Sequence, residues 1–228
     1  MVGKYTEKEF DEHDYDEFYE NHHFQPLRED HALAAHEIIP RFGWAFDKVE
    51  ELKPQTLLDL GCLDGSFGLT IAKHLGVDVT GVDLTKDGIA IATERAEKHD
   101  LPAIFHQGKI EDWLQFYAKQ GKTFDVVTCF EVLEHVDNPA ELIKLIDEVL
   151  APGGSVLIST PSFESPIWGA DDEANKCHVR LYTMEDKDYE KVNKYGTLRK
   201  ATSISKEIGK NRIKEMGIYS ELINVWYQ

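Results

Sequence analysis

The stretch LLDLGCLDGSFG at residues 57–68 constrains this chain more than any other feature. An apolar run ends there, Gly61 and Gly65 follow, and an amphipathic segment begins. This order predicts a strand, a tight turn and the first turn of a helix, which α/β proteins use to hold a nucleotide-like ligand. The spacing is not a dinucleotide fingerprint, because Leu63 and Ser66 stand where that pattern needs glycines.

A carboxylate follows at the distance that such a turn requires. The apolar run VDVTGVDL at 77–84 contains Asp83 near its end, and a ribose-binding acid is expected about 20 residues after the glycines. An ionised carboxylate only accepts hydrogen bonds, and it can take both hydroxyls of a ribose. Asp83 is therefore the candidate ribose ligand.

Strand-like and helix-like segments alternate along most of the chain. This alternation predicts an α/β fold with a doubly wound, mostly parallel sheet and right-handed crossovers. We predict strands at 56–61, 77–83, 103–107, 124–130 and 155–160, and helices at 66–75, 86–99, from 111 and at 139–150. A helix at about 30–49 precedes them, and a helix at 203–216 and a strand at 219–227 follow.

One helix has clear signals at both ends. Asn138, Pro139 and Glu141 supply an N-cap residue, a first-turn proline and a capping-box acid. Pro152 and the two glycines after it are expected to end the same helix.

Length and charge limit the classes of protein that this chain can be. Its 228 residues suit a single domain. The formal net charge of -17 disfavours a nucleic-acid partner, since binding to phosphates depends on lysine and arginine. Basic residues do gather at 187–214, and a local basic face there is the alternative to an ordinary solvated helix surface.

Cysteine usage and hydropathy point to a reducing compartment. The three cysteines are far apart in the sequence, which argues against a disulfide framework or a zinc cluster. No apolar run approaches the roughly 18 residues of a membrane span, and the first residues have no apolar signal core. We expect a cytoplasmic protein without membrane contact.

Five motifs in order give the chain its resemblance to a known family. It resembles the class I S-adenosylmethionine-dependent methyltransferases over roughly residues 50–162. The resemblance implies a seven-stranded, Rossmann-like sheet in one domain at 1–228, with N-terminal cap helices at 1–50, a cofactor-binding core at 51–161, and a lid after the fifth strand with substrate-side elements at 162–228. The motifs are LDLGCLDGSFG, the acid Asp83, GKIED at 108–112, FDVVTCFEVLEHV at 124–136 and LAPGGSVLIST at 150–160.

The same resemblance implies S-adenosylmethionine as cofactor and a set of residues that contact it. The glycines admit the methionine part, Asp59 orders the turn and the cofactor's amine, and Asp83 binds the ribose. Tyr15 or Tyr19 covers the methionine part, unless these rings only pack the N-terminal segment down. The candidate cofactor residues are Asp59, Gly61, Cys62, Gly65, Asp83, Leu84, Ile110, Glu111 and Phe130.

The adenine side of the site leaves one alternative open. Leu84 and Ile110 are expected to sandwich the base, and Glu111 or Asp112 to accept from its exocyclic amine. Phe130 is expected to offer its backbone carbonyl to the cofactor's amino group.

Candidate catalytic residues follow the fourth strand. Glu131, Glu134 and His135 lie within one turn of each other in sequence, and His178 comes 43 positions after His135. Two carboxylates and two imidazoles can hold a divalent ion such as Mg²⁺ or Mn²⁺, so these four are candidate metal ligands. Alternatively, His135 acts as a general base, or Glu134 and His135 only cap and orient the loop.

These residues resemble two subgroups of the family. EVLEHV with the later HVRLYT is similar to the ubiquinone-pathway O-methyltransferases, which implies O-methylation of a small hydroxylated acceptor. The ExxEH pattern is also similar to small-RNA 3′-terminal 2′-O-methyltransferases. A catalytically silent S-adenosylmethionine-binding regulator is the third alternative, and the acceptor and the oligomeric state stay open.

Overall fold

The structure is a computed structural model that describes residues 26–160, 190–193, 196–199 and 219–222. Helices and strands alternate in it from Thr56 to Ser159. The helices are α1 Glu29–Ala32, α2 Ala35–Ile38, α3 Pro40–Leu52, α4 Ser66–Leu75, α5 Lys86–Lys98, α6 Ile110–Lys119 and α7 Pro139–Val149. The strands are β1 Thr56–Leu60, β2 Asp78–Asp83, β3 Ala103–Gln107, β4 Phe124–Phe130, β5 Leu150–Ser159, β6 Glu190–Asn193, β7 Gly196–Arg199 and β8 Tyr219–Leu222.

The described strands form one sheet in the order β3-β2-β1-β4-β5-β8-β7-β6. Strands β1 to β5 are parallel, and β8 adds to β5 in parallel. Strands β6, β7 and β8 pair antiparallel. The α/β class with a parallel sheet is confirmed. The described residues give eight strands where seven were predicted, because the charged stretch that includes β6 and β7 has no clear apolar alternation from which two short strands could be recognised.

The sheet is covered on both faces, as a doubly wound sheet requires. Alternation along β1 sends Leu57 to one face and Leu58 and Leu60 to the other. Leu57 packs with residues of α3 and α4, and Leu58 and Leu60 pack with residues of α6 and α7. All three leucines are buried. The two layers therefore fix the ends of the central strands relative to each other.

The predicted helix at 30–49 is instead three helices. Chain direction changes at Ala34 (φ -135°) and at the extended Ile39, which precedes Pro40, a position from which proline excludes helical geometry. At the first break the buried hydroxyl of Thr70 on α4 accepts from the Ala35 amide and donates to the Ala32 carbonyl, both at 3.0 Å. A side chain far along the chain thus satisfies the backbone groups that the break releases.

The ends of α7 confirm one expectation and correct another. The Asn138 side chain accepts from the Glu141 amide at 3.2 Å, as an N-cap does. The helix ends at Val149, and Pro152 and the two glycines lie in an irregular part of β5, between the pairs that Leu150 and Ser155 make with β4. Strand β5 already begins at Leu150, which is paired with Phe124 across a register shift. Within the described residues, no helix is long and apolar enough to cross a membrane.

Candidate functional site

The candidate residues of the described chain lie at the carboxyl ends of the parallel strands. Strand order reverses between β1 and β4, and ligands of open α/β sheets bind at this point. Asp59 near the end of β1 lies beside Thr128 on β4, whose hydroxyl donates to Asp59 Oδ1 at 2.7 Å. The turn after β1 and the loop after β4 therefore start side by side.

The glycine turn has no room for side chains. Gly61 and Gly65 have φ angles of 74° and 72°, the left-handed region that favours glycine. A Cβ at Gly61 would lie 2.4 Å from Val132 Cγ2. A Cβ at Gly65 would lie 2.7 Å from Ala92 Cβ. Both glycines are thus required by conformation and by close packing.

Asp83 is held by this turn and by its own strand end. Its Oδ2 accepts from the Leu63 amide at 2.8 Å, and its Oδ1 accepts from the amide and the hydroxyl of Thr85 at 2.8 and 2.6 Å. Burial raises the pKa of Asp83, and these hydrogen bonds oppose the rise. A carboxylate has about four acceptor positions, so three are taken by the protein. The expected grip on both ribose hydroxyls is therefore restricted by bonds that the sequence did not reveal.

Leu63 also has a left-handed backbone, with φ 51°. A leucine in this region is strained. The hydrogen bond from its backbone amide to Asp83 is one interaction that offsets the strain. Sequence reasoning placed no function on Leu63. Its signal was the position between the two glycines of a tight turn.

A second feature of the turn was missed entirely. Asp64 and Arg95 form a buried ion pair, with Nη1 and Oδ2 2.9 Å apart. Asp64 also accepts from the amide and hydroxyl of Ser66, at 3.2 and 2.5 Å. Because Ser66 begins α4, this carboxylate fixes the helix to the glycine turn. Asp64 and Arg95 are 31 positions apart in the chain, and no local pattern pairs them.

Burial shapes the chemistry of the two other residues at the end of β1. It raises the pKa of Asp59 to about 7, against the opposing hydrogen bond from Thr128. It also raises the pKa of the Cys62 thiol well above the usual value. Cys62 is therefore a buried residue with an unreactive thiol. Its amide donates a hydrogen bond to the Val82 carbonyl at 3.1 Å, and its carbonyl accepts one from the Gly65 amide at 2.8 Å.

The adenine-side candidates lie around the ends of β2, β3 and β4. The Leu84 carbonyl accepts from Gln107 at 3.2 Å, which links the ends of β2 and β3. Ile110 and Glu111 open α6 and are partly buried, whereas Asp112 is exposed. Because Glu111 is less exposed than Asp112, it is the better candidate to accept a hydrogen bond from the amine of the adenine. Phe130 is buried, with its ring 5.2 Å from that of Phe67.

Beyond β4, Glu131 has a strained backbone. Its φ is 56°, and non-glycine residues in this region concentrate at functional sites. Ser159 at the end of β5 holds it twice: the Glu131 amide donates to the Ser159 carbonyl at 2.9 Å, and the Ser159 hydroxyl donates to Glu131 Oε1 at 2.7 Å. Strand β5 thus fixes this carboxylate at the sheet edge.

Glu134 is completely buried. Its Oε2 accepts from the Thr160 hydroxyl at 3.1 Å. Its Oε1 has no hydrogen-bond partner among the described residues and lies 3.8 Å from His135 Nε2. Burial, and then the charge of Glu131, raise the pKa of Glu134 well above its usual value, while the bond from Thr160 and the charge of Arg41 oppose this.

The four candidate metal ligands are only partly covered by the structure. Glu131, Glu134 and His135 lie together, but nowhere in the described residues do three or more histidine, cysteine or acidic side chains form a group that could hold a metal ion. His178, Tyr15 and Tyr19 lie outside the described residues. A metal site that includes His178 stays a prediction.

One depression lies at the opposite edge of the sheet and holds none of the candidate residues. It has a volume of about 340 Å³ and is lined by residues 52–55 at the junction of α3 and β1, by Asp125 and Val126 of β4, and by residues 152–155 of β5. Asp125 at this edge is already bonded to the Gln55 and Thr56 amides, at 2.9 and 3.0 Å. Asp125 thus stabilises the start of β1 through these hydrogen bonds.

Comparison with known proteins decides the family. A family model described as "Methyltransferase domain" matches residues 52–217, which is most of the chain. The chain belongs to this methyltransferase domain family. The matched range includes the glycine turn, Asp83 and the Glu131–His135 segment, so the class I S-adenosylmethionine-dependent methyltransferase recognised from sequence is confirmed, and S-adenosylmethionine is the cofactor that the family supports.

Two curated relatives are named "Ubiquinone biosynthesis O-methyltransferase". The one from Glaesserella parasuis is 36% identical over 121 residues, which are 53% of this chain and 51% of the relative. The one from Sodalis glossinidius is 34% identical over 152 residues, which are 67% of this chain and 54% of the relative. This methyltransferase thus spans about half the length of the curated relatives it matches.

A solved structure is similar in part. It is an S-adenosylmethionine-dependent methyltransferase from Clostridium acetobutylicum, with 15% identity and a TM-score of 0.48, over 66% of this chain and 58% of that one. Likeness at this level carries no argument about substrate or mechanism.

Proposed function

We propose that this chain transfers a methyl group from S-adenosylmethionine to the hydroxyl of a small acceptor, with His135 as general base. The names of the two curated relatives support O-methylation. The net charge of -17 supports a small acceptor over a polyanionic one.

The donor side of the crevice fits the cofactor. Gly61 and Gly65 have positive φ angles, which let the chain turn tightly at the carboxyl end of β1, where an α/β sheet binds a nucleotide-like ligand. Asp83 keeps an acceptor position for a ribose hydroxyl after its three internal hydrogen bonds. When bound, S-adenosylmethionine supplies a methyl group on a sulfonium that is already activated for displacement.

The acceptor side carries the proposal. The observation on which it depends is the completely buried Glu134, whose unpartnered Oε1 lies 3.8 Å from His135 Nε2. A buried acceptor atom of this kind costs free energy unless a ligand donates a hydrogen bond to it or the carboxyl group is protonated. His135 retains some solvent exposure, with 15% of its side chain accessible. The imidazole would take the proton of the acceptor hydroxyl, and the carboxyl beside it would orient the ring.

Three finer features belong to the same proposal. Residues 1–50 would form a cap over the cofactor, and the segment after β5 would form a lid over the acceptor. Mg²⁺ or Mn²⁺ would assist if His178 joined Glu131, Glu134 and His135, whose oxygen and nitrogen donors suit such ions.

The experiment follows label from methyl-labelled S-adenosylmethionine into catechols and simpler phenols. We expect transfer by the full chain and a loss of roughly 100-fold or more in kcat for His135→Gln, the size of a general-base effect. His99→Gln, at the C-cap of α5 and away from the carboxyl end of β4, is the control and should retain full activity. Equal activity of the two variants would contradict the role of His135.

The same assay separates the alternatives. Activity that disappears with EDTA and returns with Mn²⁺ would favour metal assistance. Transfer to the 3′ end of a short RNA, with none to phenols, would replace the small acceptor by RNA. Cofactor binding without transfer to any acceptor would favour a silent regulator.

A further inference from the structure

The ion pair of Asp64 and Arg95 lies directly behind the glycine turn. Both residues are buried, at 4% and 7% exposure. The Asp64 carboxylate is saturated from two directions, because Ser66 at the start of α4 bonds to one oxygen and Arg95 on α5 bonds to the other. Neither side chain belongs to the cofactor contacts proposed above.

The same pair also holds a distant part of the chain. We call residues 26–39, which contain α1 and α2, the N-terminal arm. The Leu27 amide in this arm donates to Asp64 Oδ2 at 3.1 Å, and the Leu27 carbonyl accepts from Arg95 Nη2. The amide and the carbonyl of Leu27 are thus hydrogen-bonded to Asp64 and to Arg95, respectively.

Arginine is required for this geometry. Arg95 Nη1 bonds to Asp64 while its Nη2 bonds to Leu27. A lysine carries the same charge on one compact ammonium group and cannot reproduce the planar fork. Burial makes the arrangement sensitive, because removal of one partner leaves an uncompensated charge in a region that water does not reach.

We infer that Arg95 is a positioning residue that couples cofactor binding at the glycine turn to docking of the N-terminal arm. Asp64 cannot shift with the turn unless Leu27 shifts with it, since they share hydrogen bonds to each other and to Arg95. Coupling of this kind is reciprocal: a docked arm favours the binding-competent turn, and a bound cofactor favours the docked arm. The inference rests on the proposed function only in taking the turn as the cofactor site.

The chain offers a matched control for Arg95. Lys98 lies one turn further along α5 and also contacts the arm, through Glu29 at 2.8 Å, but this pair is exposed and does not touch the glycine turn. Arg95→Met and Lys98→Met therefore both remove a cation that contacts the arm, and only the first disconnects the arm from the turn.

The first measurement is calorimetric titration of the full-length variants with S-adenosylhomocysteine, well below their unfolding temperatures. We expect Arg95→Met to weaken binding about tenfold, within the usual range of coupling between sites. Arg95→Lys should not restore it, and Lys98→Met should stay within about twofold of the original chain. Unchanged affinity in Arg95→Met would overturn the inference, and so would full rescue by lysine.

The second measurement is amide hydrogen exchange, whose main comparison uses only the unsubstituted chain and so does not depend on whether a variant is stable. In the unsubstituted chain, S-adenosylhomocysteine should slow exchange at the Leu27 amide together with the Ser66 amide. Without ligand, Arg95→Met should speed exchange at both amides. Protection of Ser66 alone would overturn the inference. Failure of the unsubstituted chain to bind the ligand at all would contradict the proposed function instead.

Discussion

The two sides of the crevice differ in how well the protein satisfies its own polar groups. On the donor side, Asp83 and Asp64 accept hydrogen bonds from backbone amides and from neighbouring side chains. On the acceptor side, Glu134 has a buried oxygen without a partner among the described residues, and Glu131 has a left-handed backbone. The donor side is thus pre-organised without a ligand, whereas the acceptor side keeps an unsatisfied group at the point where chemistry is proposed.

This difference has a physical reason. A cofactor site must present a fixed shape, and internal hydrogen bonds that hold a turn provide one at little cost. A group that handles protons needs a shifted pKa, and burial beside another acid raises that of Glu134. The buried acids of the donor side therefore accept hydrogen bonds within the protein, whereas the buried Oε1 of Glu134 at the loop after β4 accepts none from the described residues.

The largest effect is expected for Gly65→Ala on the donor side. The new Cβ would lie 2.7 Å from Ala92 Cβ at a φ of 72°. Backbone strain and overpacking together should lower the free energy of unfolding by roughly 4 kcal/mol and remove cofactor binding.

Gly76→Ala is the matched control in urea unfolding, since Gly76 also has a positive φ, of 67°, but nothing lies within 4 Å of its Cβ position. It should cost only the strain, about 1 to 2 kcal/mol. Equal losses in the two variants would show that the turn is not closely packed.

Asp59→Asn tests whether the donor side contains an acid that is costly to ionise. Its pKa is 3.8 unfolded and about 7 folded, so the native state holds the proton more tightly. The contribution of the protonated Asp59 to the free energy of unfolding is fully present below about pH 4, and it is lost as pH rises through 7. Asparagine cannot ionise, and it keeps an oxygen for Thr128.

We expect Asp59→Asn to match the original chain near pH 4 and to exceed it by about 3 kcal/mol at pH 8 in urea unfolding. Asp78→Asn at the exposed start of β2 should show no such dependence. A constant difference between Asp59→Asn and the original chain across this range would contradict the assignment.

A change of the same sign is expected for Glu134→Gln on the acceptor side. The folded pKa of Glu134 is raised, so its stability is present below about pH 4.5 and is lost as pH rises toward the folded value. The charge of Arg41 and the bond from Thr160 partly offset this loss. Urea unfolding at pH 8 should therefore show Glu134→Gln to be more stable than the original chain.

Activity gives the second readout for Glu134→Gln, because a more stable enzyme should transfer methyl groups more slowly if the buried acid is functional. Glu141→Gln, at the exposed start of α7, is the control for both measurements. A less stable Glu134→Gln variant at pH 8 would show that the ionised carboxylate is accommodated in the native state.

The predictable parts of the molecule were those with local signals. Glycine spacing located the turn, and the Asn138 cap located the start of α7. The break at Ala34 was missed because Thr70, which satisfies it, lies on a different helix. Strand β5 begins at Leu150, before the predicted 155–160, because Leu150 pairs with Phe124 ahead of the irregularity at residues 151–154.

The same distinction applies to the site. Asp83 was identified from its distance to the glycines, but its three internal hydrogen bonds depend on how the turn folds back onto β2. Arg95 could not be recognised, because its partners Asp64 and Leu27 are 31 and 68 positions away. Glu131, Glu134 and His135 were predicted as site residues from their spacing, whereas the left-handed backbone of Glu131 appears only in three dimensions.

The most direct test of the central claim is calorimetric titration of S-adenosylmethionine into the full chain, Asp83→Ala and Asp78→Ala. The two acids lie at opposite ends of the same strand. We predict saturable binding by the original chain and by Asp78→Ala, and binding weakened at least about tenfold in Asp83→Ala. No binding by the original chain, or equal binding by all three proteins, would contradict a cofactor site at the carboxyl ends of these strands.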